Sequence, residues 1–169
     1  MHKQDDTEAA PHDMLAISLA DEAATIALAS ALARRLTPGF LLYLTGELGS
    51  GKTTLVRGIL RVLGHAGRVK SPTYTLVELY TVSRLDLYHF DFYRFRDPKE
   101  WDEAGFREHF DGNAVCIVEW PDKAIGLLPP PDLEISLQTD ASGRLATLTA
   151  HTQAGIDCVS DLKSPDACS

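Results

Sequence analysis

Eight consecutive residues, Gly46-Glu47-Leu48-Gly49-Ser50-Gly51-Lys52-Thr53, fit the pattern G-x-x-x-x-G-K-[ST]. Such a stretch is suited to holding a polyphosphate. Glycines let the backbone curl until successive N–H groups converge on phosphate oxygens, and a helix starting behind them adds its positive end. Lys52 is placed to neutralise β- and γ-phosphates, Thr53 to set its hydroxyl on Mg2+, and Thr54 to bind the α-phosphate. Gly49 adds a point where backbone can approach the ligand closely, while Ser50 and Gly51 contribute backbone N–H groups. A chance match is expected in about half a percent of chains this long, so the pattern carries weight only with a suitable setting around it.

The chemistry also needs a carboxylate at the end of a neighbouring strand, to hold the metal or order a water. Glu119 closes the apolar run Ala114 to Val118, and Asp91 closes Leu85 to Phe90. Each has a plainer alternative: a solvated strand end for Glu119, a structural ion pair with Arg94 for Asp91. Ser71-Pro72-Thr73-Tyr74-Thr75 supplies hydroxyls where a γ-phosphate sensor would lie, with Thr73 as the switch-like candidate, or else is a turn entering a strand. Arg57 and Arg61, one helical turn apart and near Arg68 and Lys70, either meet a polyanion or acidic surface or form a solvated face.

The elements that must position these residues are readable from spacing. Asp21 and Glu22 open an Ala/Leu-rich helix to Leu36, closed by Pro38-Gly39. Phe40 to Leu44 is a continuous apolar run of strand length. After the glycine loop, Leu55, Val56, Ile59, Leu60 and Leu63 form a helical stripe that stops at Gly64. Thr73 to Tyr80 and Leu85 to Asp91 predict an antiparallel pair turning at Val82-Ser83-Arg84. Asp97-Pro98-Lys99-Glu100 combines an N-cap, a proline at the first helical position and a capping glutamate, which predicts a helix to about Phe110. Ala114 to Val118 reads as a second buried strand, and Leu133 to Gln138 with Arg144 to His151 as a hairpin. Strand, glycine loop and helix in that order predict a three-layer α/β domain of the P-loop NTPase type, with a mixed, partly antiparallel sheet.

The chain has 169 residues, 44% of them hydrophobic and 24% charged, enough to close one core but not two. The expected organisation is a loose extension over 1–13, one phosphate-loop domain over 14–151, and a loose tail over 152–169 rich in Ser, Asp, Ala and Cys. A net charge of −8 argues against a counterion-release grip on nucleic acid as the main activity. No apolar run approaches the roughly 20 residues that span a bilayer, and residues 1–6 lack the plan of an export signal, so a cytoplasmic location away from membranes is expected. Cys116, Cys158 and Cys168, and six dispersed histidines, lack zinc-ligand spacing.

Four blocks in order resemble the TsaE family, the small P-loop ATPases of bacterial tRNA threonylcarbamoyladenosine synthesis. They are Gly46 to Thr54, Ser71-Pro72-Thr73-Tyr74-Thr75-Leu76-Val77, His89-Phe90-Asp91-Phe92-Tyr93-Arg94 and Val118-Glu119-Trp120-Pro121. Ser50 stands where the family usually has alanine. The resemblance covers about 15–151 and implies a magnesium-dependent ATPase that works beside the TsaB and TsaD proteins. That pair modifies adenosine 37 of tRNAs reading codons that begin with A, so tRNA would be met through the complex. It further implies slow hydrolysis alone and faster hydrolysis with the pair, which resets the complex between turnovers. By position, Gly49 to Thr54 would bind phosphates, Thr53 and Glu119 would hold Mg2+, and Lys52 and Asp91 would assist hydrolysis. Trp120 would lie beside the nucleotide, with Glu22 and Arg144 as further nucleotide contacts. Two other readings of the same loop stay open: a small-molecule kinase with Arg94, Arg96 and Arg107 clamping the phosphoryl group, and a scaffold that binds ATP without useful turnover.

Overall fold

A computed structural model describes residues 13–83 and 85–164. Among the described residues seven strands form one sheet in the order β1-β7-β6-β2-β5-β4-β3. They are β1 (Asp13–Leu19), β2 (Leu41–Thr45), β3 (Val77–Val82), β4 (Leu85–Asp91), β5 (Val115–Glu119), β6 (Leu133–Asp140) and β7 (Gly143–Ala150). The inner four, β6, β2, β5 and β4, are parallel. Antiparallel partners flank them, β3 on one side and β7 followed by β1 on the other. The mixed sheet expected from the chain is therefore present, and its parallel centre brings the ends of β2, β4 and β5 to one edge, where ligands of open α/β sheets bind.

Alternation along the strands sorts the core into two layers. Leu42 and Leu44, Leu85 and Leu87, and Val115 and Ile117 face α1 (Glu22–Ala33) and α2 (Lys52–Val62). Leu41, Phe90, Cys116 and Val118 face the other way, onto Phe92, Trp101 and Phe106. Asp21 caps α1 by accepting from the Ala24 N–H at 2.9 Å. The buried stripe Leu55, Val56, Ile59 and Leu60 presses α2 onto the sheet. At Gly58 a Cβ would come within 2.7 Å of the Ala29 methyl, so α1 and α2 pack nearly backbone to backbone. The aromatic layer is tightly interlocked: Phe90 stacks on Phe110 at 5.0 Å and meets Phe106 edge-on at 5.7 Å.

Four expectations need correction. The helix predicted to Phe110 ends at Glu103 as α3 (Pro98–Glu103), because Gly105 takes φ 67; a separate 3-10 turn covers Phe106–Phe110. The strand predicted from Thr73 starts only at Val77, after Leu76 adopts φ 67 and donates its N–H to the Pro72 carbonyl. Asp13, assigned to the extension, opens β1 and aligns with Ala150. The segment expected to be a loose tail holds α4 (Gln153–Lys163), capped by the Thr152 hydroxyl. Its Gly155, Cys158, Val159 and Leu162 recur at helical spacing and pack on the sheet, a pattern that composition alone conceals. Lys163 fastens its end to Asp13 at 2.6 Å, and Asp161 pairs with Arg35. The domain thus spans 13–164 among the described residues; the expectations for 1–12 and 165–169 lie outside them. No helix among the described residues is long and apolar enough to cross a membrane.

Candidate functional site

β2 runs out at Thr45 and α2 begins at Lys52, so the glycine loop fills the gap at the carboxyl edge of the sheet. Gly46 takes φ 140, Gly49 φ 78 and Gly51 φ 103, all in the region that favours glycine. A Cβ at Gly46 would collide with the Leu137 carbonyl, and one at Gly51 would come within 2.8 Å of Arg144 Nη1. Gly51 is the N-cap of α2 and brings no side-chain acceptor, which leaves the first-turn N–H groups for an anion.

Lys52 is 5% exposed, unusual for a lysine. Its ammonium donates to the carbonyls of Gly46 at 2.5 Å and Glu47 at 2.9 Å, and lies 4.6 Å from the Trp120 ring centroid. Burial lowers its pKa from the ordinary lysine value, while the charges of Glu119 and Asp91 act in the opposite direction. Trp120 owes its place to a left-handed backbone, φ 57, between Glu119 and Pro121. That bend swings the indole over the lysine and against Tyr93, centroids 5.1 Å apart.

The carboxylates meet because β4 and β5 are parallel and in step, with Asp91 beside Glu119. Both are buried, 3% and 2% exposed. Asp91 accepts from the Tyr93 N–H at 2.9 Å and from the Ser71 hydroxyl. Ser71 Oγ also lies 3.3 Å from Glu119 Oε2, which sits 2.6 Å from His89 Nε2. The alternatives raised for this pair do not describe it: Glu119 is not a solvated strand end, and Asp91 is not bonded to Arg94, whose guanidinium stacks on Tyr74 at 5.0 Å.

A cavity of about 380 Å³ collects these groups. Gly49, Gly51, Lys52, Thr53, Thr54, Thr73, Asp91, Glu119, Trp120 and Arg144 all line it, with Leu48, Ser71 and Tyr93. Ser50 sits behind the loop, its hydroxyl 3.5 Å from Lys52 Nζ. Glu22 lines a second cavity of about 400 Å³, which shares Thr54 and Arg144 with the first. The arginines Arg94, Arg96 and Arg107 line neither. Arg57 and Arg61 turn to loop carbonyls, Val69 for the first, and His65 and Gly67 for the second. Sequence reasoning gave no role to His89 or Tyr93. The signal for His89 was its place two residues before Asp91, on the same strand face.

The family model described as "Threonylcarbamoyl adenosine biosynthesis protein TsaE" matches residues 19–146, which hold the loop, both carboxylates and Arg144. The chain belongs to the TsaE family. A Haemophilus influenzae relative named "tRNA threonylcarbamoyladenosine biosynthesis protein TsaE" is 44% identical over 120 residues, 71% of this chain and 76% of the relative. One of the same name from Bacillus subtilis is 40% identical over 114 residues, 68% and 71% of the two chains. The crystal structure of Bacillus subtilis YdiB is similar with a TM-score of 0.76 at 29% identity, covering 95% of this chain and 99% of that one. The TsaE-family match stops before α4, whereas the likeness to YdiB spans almost the whole chain.

Proposed function

We propose that this TsaE-family chain binds ATP with Mg2+ and hydrolyses it slowly to ADP and phosphate, as the energy-coupling component of threonylcarbamoyladenosine formation on tRNA. The observation that carries this reading is the convergence of Lys52, Thr53, Asp91 and Glu119 on one cavity at the start of α2. Lys52 exchanges the Gly46 and Glu47 carbonyls for phosphate oxygens, which relieves a buried cation of weaker partners. Oxygen donors suit a hard cation, and Thr53 and Glu119 are the residues that would hold Mg2+. When bound there, the cation would supply charge neutralisation for the phosphates. Asp91, fixed by the Tyr93 N–H and the Ser71 hydroxyl, orients the attacking water. Thr73 lines the same cavity and is the group that would sense the terminal phosphate. Trp120 packs beside the nucleotide and reports its arrival by fluorescence. Arg144 and Thr54, common to both cavities, lead the nucleotide towards Glu22.

The partners implied are the TsaB and TsaD proteins, with tRNA met through them, in the cytoplasm. The test is calorimetry with Mg-ATP, followed by phosphate release with and without the TsaB–TsaD pair. Micromolar-range heat and a release rate raised by the pair support the proposal; no heat even with the pair present overturns it. Glu119→Ala separates turnover from occupancy. We expect ATP binding to persist while phosphate release falls about 100-fold, roughly 3 kcal/mol of barrier, and tRNA modification stops. Retained modification would favour a scaffold that needs only to be occupied.

A further inference from the structure

One buried polar side chain at the site has no part in the scheme above. His89 has no exposed surface. Its Nε2 lies 2.6 Å from Glu119 Oε2, and its Nδ1 has no hydrogen-bond partner among the described residues. A carboxylate oxygen only accepts, so Nε2 carries the hydrogen. The register places the two groups together: His89 aligns with Ile117 and Asp91 with Glu119, which sets the imidazole one pleat inward from the carboxylate pair on the same face. Ser71 Oγ approaches the same oxygen, Oε2. Both contacts of Glu119 therefore fall on Oε2, and Oε1 is left for the cavity that the residue lines.

A leucine would fill the space of this ring in a core whose neighbours on β4 are Leu85 and Leu87. A ring nitrogen left unpartnered in that core is costly, so the imidazole is explained by what its other nitrogen does. We propose that His89 is a positioning residue: it clamps Glu119 through Oε2 and so presents Oε1 to the divalent cation. This rests on the metal-holding role given to Glu119 above. Ligating carboxylates held by such outer hydrogen bonds typically lose about 10–100-fold in metal affinity when the partner is removed.

The test uses the full chain with ADP. Mn2+ is titrated into the ADP-loaded protein and the free ion read by electron paramagnetic resonance, while ADP affinity in EDTA is read by calorimetry. For His89→Leu, Mn2+ affinity should fall about 10–100-fold with ADP binding in EDTA unchanged. For His89→Gln, whose side-chain amide can reach the position of Nε2, most of the Mn2+ affinity should return. A folded Leu variant that binds Mn2+ like the wild type overturns the proposal, as does a Gln variant no better than Leu. If the Leu variant does not fold, wild-type protein labelled with 15N-histidine decides the matter. The His89 Nε2 resonance should move when Mg2+ is added to the ADP complex, and a resonance indifferent to the metal overturns the clamp. Wild-type protein that takes up ADP but no Mn2+ defeats the metal-dependent function and the clamp together, whereas normal wild-type binding with unaffected variants defeats the clamp alone.

Discussion

The glycine loop and the carboxylate pair face one cavity but are held by opposite means. The loop is shaped by its backbone: three glycines at positive φ, a helix start without a side-chain cap, and one cation bonded to main-chain carbonyls. The carboxylates sit on regular strands, and mainly side chains fix them: Ser71 between the two and His89 behind Glu119, with the Tyr93 N–H on Asp91. The loop should therefore be sensitive to an added Cβ and indifferent to most side-chain truncations, and the carboxylate pair the reverse.

The largest effect should come from Gly46→Ala. A methyl there meets the Leu137 carbonyl, and φ 140 is strained for alanine, so stability should fall by about 4 kcal/mol, read as a lowered Tm with loss of Mg-ATP binding. Normal stability would mean that the loop is not backbone-defined. Next is Lys52→Ala, which removes the cation and its bonds to the Gly46 and Glu47 carbonyls; calorimetry should give Mg-ATP binding about 100-fold weaker, roughly 3 kcal/mol. An unchanged titration contradicts the role of the loop. Smaller again is Ser71→Ala, which takes a donor from the carboxylate pair. Phosphate release should slow about tenfold, near 1.4 kcal/mol, with nucleotide affinity held; a change in affinity without one in rate would place Ser71 with the loop instead. Ser50→Ala should be the mildest, within about 0.5 kcal/mol in both binding and Tm, since its hydroxyl is 3.5 Å from Lys52 Nζ and the ammonium has two closer acceptors.

How much of this was legible in the chain follows the same division. The loop is a local pattern in which each glycine answers a backbone need, so the bend over Gly46 to Gly51 was readable from order alone. The strands carrying Asp91 and Glu119 were legible as apolar runs, but their register was not, and register is what brings His89 and Ser71 to the carboxylates. The break at Gly105 went unseen because a glycine inside a helical pattern reads as tolerated, whereas here it takes φ 67 and stops the helix. The helix α4 was hidden by composition: few large apolar residues, with Gly155, Cys158 and Val159 making the buried face. Glu22 illustrates a further limit. A family resemblance assigns it to the nucleotide, yet it lines a cavity adjoining the one that holds Lys52, Thr53 and the two carboxylates.

The outermost strand carries a consequence for how the molecule is made. Among the described residues β1 pairs only with β7, and Lys163 ties down the same corner through Asp13. Translation delivers Leu15, Ile17 and Leu19 early and their partner strand late, after every other element of the sheet has emerged. The nascent polypeptide thus carries an unpaired apolar ribbon until β7 is made, and sealing that border awaits the hairpin that brings Arg144 to the cavity of the glycine loop.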